Sequence, residues 1–540
     1  MLRCNPMKKI ISLLMVLAVI FLTSSCGKND EKNIYFPIEN SVRSLDPQIV
    51  SDDAGRMIAL NIFDCLVKID ENGDIIPGAA ESWIVSSDGL TYTFNISEKS
   101  SWYLTDTAKS ALEGKLPENM NLSVTANDFV FALQRALDPA TNAPESELLS
   151  GIKGASDVLS GSKSSDTIGV KAVSEKVLQI DLASPDDSFL QILARPICAP
   201  CNEIFFNATG GRYGVEMKYM MSNGPFFLTR KTDDSYIRIS KSDEYNGEYS
   251  PKVSAVYFYI NNDSSLIPGK IADGTYEGGF VSTNECEIFG NKFNQITYTS
   301  AIKCLIFNCS EGSDTANENI RKAIVSATNP ETLSELFGTD TPTDFYPPSI
   351  SNLMADTVLD SSLPYDIDRA HSFLMTAYKE LDITDISLKC ACTSDDEETL
   401  RHIMQDWQEA LGTSCGITVQ VLSSSDLRSA VKNGEYDMAI YTISNTLPGK
   451  YSCFSRFMTD DNRNALCLSN ENYDELCAKI ESANGNDARE FIISAKKMLY
   501  DSGMLLPVAL VEESLVTSKS LTGVYFYGDR AMTYFYEAKL

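Results

Sequence analysis

Ser44-Leu-Asp-Pro-Gln48, an apolar segment closing on Leu66-Val67, Pro77-Gly-Ala-Ala-Glu-Ser-Trp83, Asp88-Gly-Leu-Thr-Tyr-Thr-Phe94 and Trp102 follow one another in a single stretch of this chain. Pro47 fixes its own φ and pushes Asp46 into extended geometry. Leu90, Tyr92, Phe94 and Ile96 alternate with polar residues at period two, which predicts a strand, and Asp88-Gly89 is the turn ahead of it. The stretch reads as turn, helix, loop and edge hairpin. It holds no catalytic group.

Downstream, Thr125-Ala-Asn-Asp128 is a capping-box variant ahead of Phe129, Val130, Leu133, Ala136 and Leu137, which share one helical face until Asp138-Pro139 stops the helix. Lys176 to Leu182 alternates as a strand, Asn223-Gly224-Pro225-Phe226 turns into another, and Val253 to Ile260 is a continuous apolar and aromatic strand expected to be buried on both faces. From residue 300 the pattern changes to helices alternating with strands. Ile320, Ala323, Ile324 and Ala327 share a face, as do Ile367, Ala370 and Leu374, and as do Leu400, Ile403, Met404, Trp407 and Leu411 ahead of the stop Gly412. Short strands at Ile386 to Cys390, Ile417 to Leu422 and Met438 to Ile443 lie between them, and Leu505 to Leu510 is another. Strand and helix in alternation imply parallel pairing and an α/β lobe.

At 540 residues and 43% hydrophobic content the chain can build several cores. Lys8, Lys9, the apolar run Ile10 to Leu22 and Thr23-Ser24-Ser25-Cys26 have the layout of a secretory signal, and the run is short for a membrane span of roughly 20 residues. The formal charge of −29 becomes −32 once Arg3, Lys8 and Lys9 leave with the signal. Such acidity excludes nucleic acid as a partner and keeps the protein soluble outside the cell.

The inventory of reactive groups is poor. There are two histidines, His371 and His402, both on amphipathic helices, and no phosphate-binding loop, nucleophile elbow or zinc-protease motif. No enzyme, metal or cofactor is expected. Of 14 cysteines, Cys198-Ala-Pro-Cys201 is the pair most like a redox centre, but no thioredoxin-type βαβ unit surrounds it. Structural thiols or a local disulfide are expected there, and packing at a strand end for Cys390 and Cys392.

The Leu-Asp-Pro at Leu45, the Pro-x-x-Ala-x-x-Trp ending at Trp83, the Asp-Gly-x-x-Tyr-x-Phe ending at Phe94, and Val124 to Arg135 resemble, in order, the extracytoplasmic solute-binding proteins of peptide ABC importers, family 5. The resemblance extends over about residues 32 to 540. It implies an α/β, periplasmic-binding-protein-like fold of two lobes (class II, cluster C) with an extra α+β domain inserted into the first. Lobe I maps onto 30–64, 190–295 and 504–540, the inserted domain onto 65–189 and lobe II onto 296–503. Residues 1–25 form the signal and 26–29 a lipidated start and tether, with Cys26 in the place of a bacterial lipobox cysteine.

The function implied is capture of peptides or peptide-like ligands between hinged lobes by a monomeric lipoprotein, held to the cell membrane and serving an ABC permease and ATPase complex. The alternatives are a transport-independent sensor or receptor, or a binder of a metal chelate, haem or sugar on the same fold. In peptide-binding members an aspartate on lobe II pairs with the ligand's α-ammonium; Asn445 stands at the matching position and supplies no charge, unless Asp52 or Asp53 substitutes. By the same matching, Ser51 to Ala54 would pair with a peptide as an added strand. Glu145, Arg195, Lys303 and Tyr441 would face the cleft.

Overall fold

A computed structural model describes residues 32–346, 363–444, 450–483 and 485–540. Numbering the strands and the longer helices along the chain, β1 (Asn33–Ile38) leads to α1 (Asp53–Ile62), β2 (Val67–Ile69), β3 (Ile75–Pro77), β4 (Ala80–Val85) and β5 (Thr91–Ile96). Then come α2 (Ala126–Leu137), β6 (Val170–Ser174), β7 (Val177–Asp181), β8 (Phe226–Lys231), β9 (Tyr236–Lys241), β10 (Ala255–Ile260) and β11 (Gly278–Ser282). The long β12 (Phe293–Phe307) opens the second half, with α3 (Glu318–Ser326), α4 (Pro330–Phe337), α5 (Ile367–Leu381), β13 (Ile386–Cys392), α6 (Glu397–Leu411), β14 (Cys415–Val421), α7 (Ser424–Asn433), β15 (Met438–Ser444), α8 (Glu471–Ser482) and α9 (Gly485–Asp501). β16 (Leu505–Ser518) runs back, and β17 (Tyr525–Phe526) and β18 (Thr533–Tyr534) finish the chain.

Three sheets organise this. One has the order β1-β10-β9-β8, a second β4-β5-β7-β6, and a third, of six strands, β11-β16-β12-β15-β13-β14. In the third, β13 pairs parallel with both β14 and β15, as the alternation of strand and helix predicts, while β12 and β16 run antiparallel over almost their whole length. Helices cover both faces of it: Ile302, Cys304 and Ile306 point into a core with Phe454 and Tyr473, and Leu305 and Phe307 into another with Leu374 and Trp407. A single core joins Ile34, Phe36 and Phe258 of the first sheet, Phe63 at the end of α1, Trp102, Phe129 and Leu178 of the segment 65–189, and Phe535 and Tyr536 near the C-terminus. The fold is therefore the mixed α/β, two-lobe architecture expected.

The sequence motifs are one another's partners. Arg135, on α2, donates to both carboxylate oxygens of Asp46, at 2.9 Å from Nη1 to Oδ1, and to Gln48 Oε1 at 2.7 Å. Asp128 closes the capping box on Thr125 and also accepts from Trp102 Nε1 at 3.3 Å and Asn202 Nδ2 at 3.1 Å. Gly214, at φ +75°, lies so close under Asp46 that a Cβ there would stand 2.2 Å from its backbone nitrogen.

The edge hairpin expected around Asp88-Gly89 is present, Ala80–Val85 pairing along β5 as strand β4, and two local expectations are corrected. Val253 to Ile260 is not buried on both faces: Val256 and Phe258 are, but Tyr257 and Tyr259 turn outward and stay half-buried, since a tyrosine can leave its hydroxyl wet. Ile367 is 46% exposed at the start of α5 and does not share the buried face of Ala370 and Leu374.

Candidate functional site

β15 ends where Ser444 meets Ala301 of β12, and beyond that point β12 continues beside β16 alone, toward β11. The carboxyl ends of the parallel strands β13 and β15 therefore face the first half of the molecule. In open α/β sheets that edge is where ligands sit.

In the first half, the start of α1 gathers the sequence-matched acidic residues. Asp52 is its N-cap, accepting from Gly55 N at 2.7 Å, and burial raises its carboxyl pKa despite that bond and the nearby Arg56. Asp53 pairs with Arg56 Nη1 at 2.8 Å, and Arg56 Nη2 donates to Ser51 O at 2.8 Å. The network runs on through Arg56 Nε to Glu145 Oε1 at 3.3 Å, Glu145 to Arg195 Nη2 at 3.6 Å, and Arg195 Nη1 to Asp529 Oδ2 at 3.4 Å. Burial disfavours the charge on Arg195, but Asp529 and Glu145 outweigh it and hold the guanidinium protonated. Burial likewise raises the carboxyl of Asp529. Ser51, Asp52, Asp53 and Ala54 line a cavity of about 290 Å³ with Glu39 and Arg530. Arg530 there donates to Glu513 of β16 at 2.7 Å and to Glu39 at 2.8 Å, and Tyr298 of β12 donates to the same Glu513 oxygen.

The wall on the second half is built from the strand ends. Lys303 pairs with Asp396, in the turn after β13, and Asp396 also accepts from Thr393 Oγ1 at 3.2 Å. Arg456 Nη1 donates to Ser444 O at 3.0 Å. The two halves meet where Ser184 Oγ donates to the backbone oxygen of Glu481 at 3.4 Å. Burial raises the carboxyls of Glu147, in the segment 65–189, and Glu481, on α8; Arg463 and Asp461 also act on Glu147, and Glu147 itself on Glu481.

Ser51, Asp52, Asp53, Glu145 and Arg195 are thus brought together. Glu145 and Arg195, only 6% and 4% exposed, are placed within a buried ion network and not as free groups on an open wall. Lys303 and Tyr441 lie on opposite faces of the six-stranded sheet, because Lys303 follows the side of Leu305 whereas Tyr441 packs on the side of Cys304 and Ile443. Asn445 and Cys26 lie outside the described residues. Arg56, Asp529, Glu513 and Arg530 were not singled out in the sequence. They are isolated charges without period or motif, and only the fold assembles them.

Cys198 and Cys201 belong to the core. Their loop is held by Gln48 Nε2 donating to Ile197 O and Ala199 O at 3.1 and 2.9 Å, and burial pushes both thiols far up, the reverse of what a redox pair needs. Among the described residues no group of three or more His, Cys, Asp or Glu is placed to hold a metal ion, and no helix is long and apolar enough to cross a membrane.

Residues 74–465 match the family model of bacterial extracellular solute-binding proteins, family 5. The dipeptide-binding protein of Lactococcus lactis subsp. cremoris is 24% identical over 553 residues, covering 96% of this chain and 97% of that one. In fold, the chain is similar to Listeria monocytogenes OppA bound to peptide, with a TM-score of 0.75 and 21% identity over 94% of this chain and 99% of that one. It is also similar to Haemophilus influenzae OppA in complex with the peptide RPPGFSPFR, with a TM-score of 0.76 and 18% identity over 95% and 99% of the two chains.

Proposed function

The chain belongs to the bacterial extracellular solute-binding proteins of family 5, and from that premise we propose that it captures a peptide or peptide-like ligand in the cleft between its two lobes for an ABC importer. The observation that carries this reading is the joining of the halves through two neighbouring strands, β12 and β16. Such a ribbon lets the lobes close over a guest by a hinge motion. Asp53 and Ala54 open α1 and so do not extend as the strand expected of them; binding would rest on the main chain of Ser51 and Asp52 and on the N–H groups at the start of that helix, and no bond in the ligand would be made or broken.

In this reading lobe I comprises residues 30–64, 190–295 and 504–540, the inserted domain 65–189 and lobe II 296–503. Cys26 carries the lipid that keeps a monomer at the membrane beside the permease and ATPase complex. Asn445 takes the place of the carboxylate that would neutralise a free α-ammonium, so ligands whose amino end is blocked or absent suit the site better than free peptides.

The test is mass spectrometry of the molecule that co-purifies with the protein, followed by unfolding with defined peptides. A ligand at 100 times its Kd should stabilise by about 2.7 kcal/mol. Recovery of a non-peptide, with no peptide shifting the unfolding transition, would overturn the peptide assignment. Asn445→Asp should tighten free-amino peptides and leave N-acetylated ones unchanged.

A further inference from the structure

The sheet β1-β10-β9-β8 has one face in the main core, formed by Ile34, Phe36, Val256, Phe258, Ile237 and Ile239. Its other face carries an array of tyrosines where an outer sheet face is ordinarily polar; Tyr35 and Tyr259 at one side of it pack on the small cluster of Ile267, Ile271 and Tyr276, and Tyr257 and Tyr236 lie beyond that cluster. Tyr257 lies 5.3 Å from Tyr35 and 5.5 Å from Tyr236, centroid to centroid, and Tyr259 lies 5.5 Å from Tyr236 and 6.3 Å from Tyr257. All four are half-buried.

Two arginines complete the array. Register sets Arg230 of β8 directly opposite Arg238 of β9. Like charges opposite one another destabilise a strand pair, so their placement needs a compensating partner. Among the described residues their partners are rings: Arg230 lies 5.3 Å from the centre of Tyr236, and Arg238 5.3 Å from that of Tyr257. Among the described residues neither guanidinium has a carboxylate partner; Asp233, in the turn joining the two strands, pairs with Lys231 at 3.6 Å. Arg238 Nε is covered from water and has no hydrogen-bond partner. No side chain that the register puts on this face is acidic, in a chain whose net charge is −29. Tyrosine and arginine are the residues enriched where surfaces bind.

We propose that this face docks an anionic glycan of sugar-phosphate type, the sugar rings laid on the tyrosines and the phosphates held by Arg230 and Arg238. Guanidinium forks match phosphate oxygens, and stacking on the rings pre-organises them. Tyr257 and Tyr259 lie within 17° of parallel and Tyr236 is tilted 45° and 41° to them, a stepped surface of rings on which the faces of sugars can rest. The proteins of family 5 are extracellular, so the polyanion sought is one of the cell exterior.

Calorimetry on the full chain would compare a hexamer of mannose joined by phosphodiesters with the same hexamer joined by neutral glycosidic bonds, a hexaglutamate peptide and a hexathymidylate. The phosphodiester hexamer should bind, more weakly as salt is raised, and the others at least tenfold less well. The double variant Arg230→Gln/Arg238→Gln and the variant Tyr257→Ser should each lose tenfold or more for that hexamer, with thermal unfolding and cleft-ligand binding as in wild type. Failure of the hexamer to bind, equal binding of hexaglutamate or hexathymidylate, or full retention by the double variant would overturn the proposal. Because the cleft is assayed separately, these outcomes are independent of the peptide reading.

Discussion

Replacing Arg135 by methionine isolates the contact between the opening motif and α2. Asp46 is 2% exposed, and Arg135 supplies a donor to each of its oxygens and a third bond to Gln48 Oε1. Arg135→Met fills most of the volume but leaves a buried carboxylate whose remaining bond is from Gln48 N at 3.2 Å. Breaking a buried pair in this way costs about 3–5 kcal/mol, whereas exchanging both partners for apolar residues is often close to neutral. Asp46→Leu/Arg135→Met should therefore be less destabilised than the two single costs added together. The segment 65–189 shares one core with the first sheet, so equilibrium denaturation of this lobe reports the loss. Burial already raises the Asp46 carboxyl against the opposing effect of Arg135, and without Arg135 burial acts almost alone. A carboxyl whose folded pKa lies above its unfolded value of about 3.9 loses stability as pH rises through that interval. The deficit of Arg135→Met should thus be full at neutral pH and shrink as pH falls toward the unfolded value. Additive single costs, or a deficit that grows in acid, would refute the reasoning.

Alkylation of the native protein at pH 8 followed by peptide mapping should label half-exposed Cys286 first and Cys309, pushed up to about 11 by burial, more slowly, while Cys198, Cys201 and Cys390 react only after unfolding. Gly214→Ala should cost at least about 1–2 kcal/mol from its left-handed backbone alone, with more from the collision against Asp46, read as a lowered denaturation midpoint. Glu147 and Glu481 meet between the two halves near Ser184, and burial raises both carboxyls, so in the proposed closing motion protons favour the state that holds them together. Ligand affinity should rise as pH falls from 7 toward 4.5, the ordinary glutamate value, and Glu481→Gln should flatten that dependence in calorimetry across this range.

What the sequence made legible follows the reach of its signals. Period and punctuation act within a dozen residues, so α2, α3, α6 and the strand β5 could be read directly, and the stop at Asp138-Pro139 falls where α2 ends. Asp46, Trp102, Asp128 and Arg135 stood out as motif residues, yet nothing local says that they bind each other. The ion network at the cleft was harder still. Arg195 and Glu145 were matched by position, but their burial depends on Arg56 and Asp529, which come from distant parts of the chain. Val253 to Ile260 was misjudged because hydrophobic period does not distinguish a tyrosine that packs on both faces from one that lies flat on an outer face.

The pairing of β12 with β16 also bears on how this protein could be rebuilt. With lobe II proposed at 296–503, the piece to exchange is one stretch of chain entered and left through the paired strands β12 and β16, so a chimera with a relative needs two splice points, both in the same ladder. Joints that keep Thr297 opposite Ser514 and Ile302 opposite Leu510 would preserve that alignment and let the exchanged module carry its own ligand preference, while the donor of the other half keeps its docking surfaces.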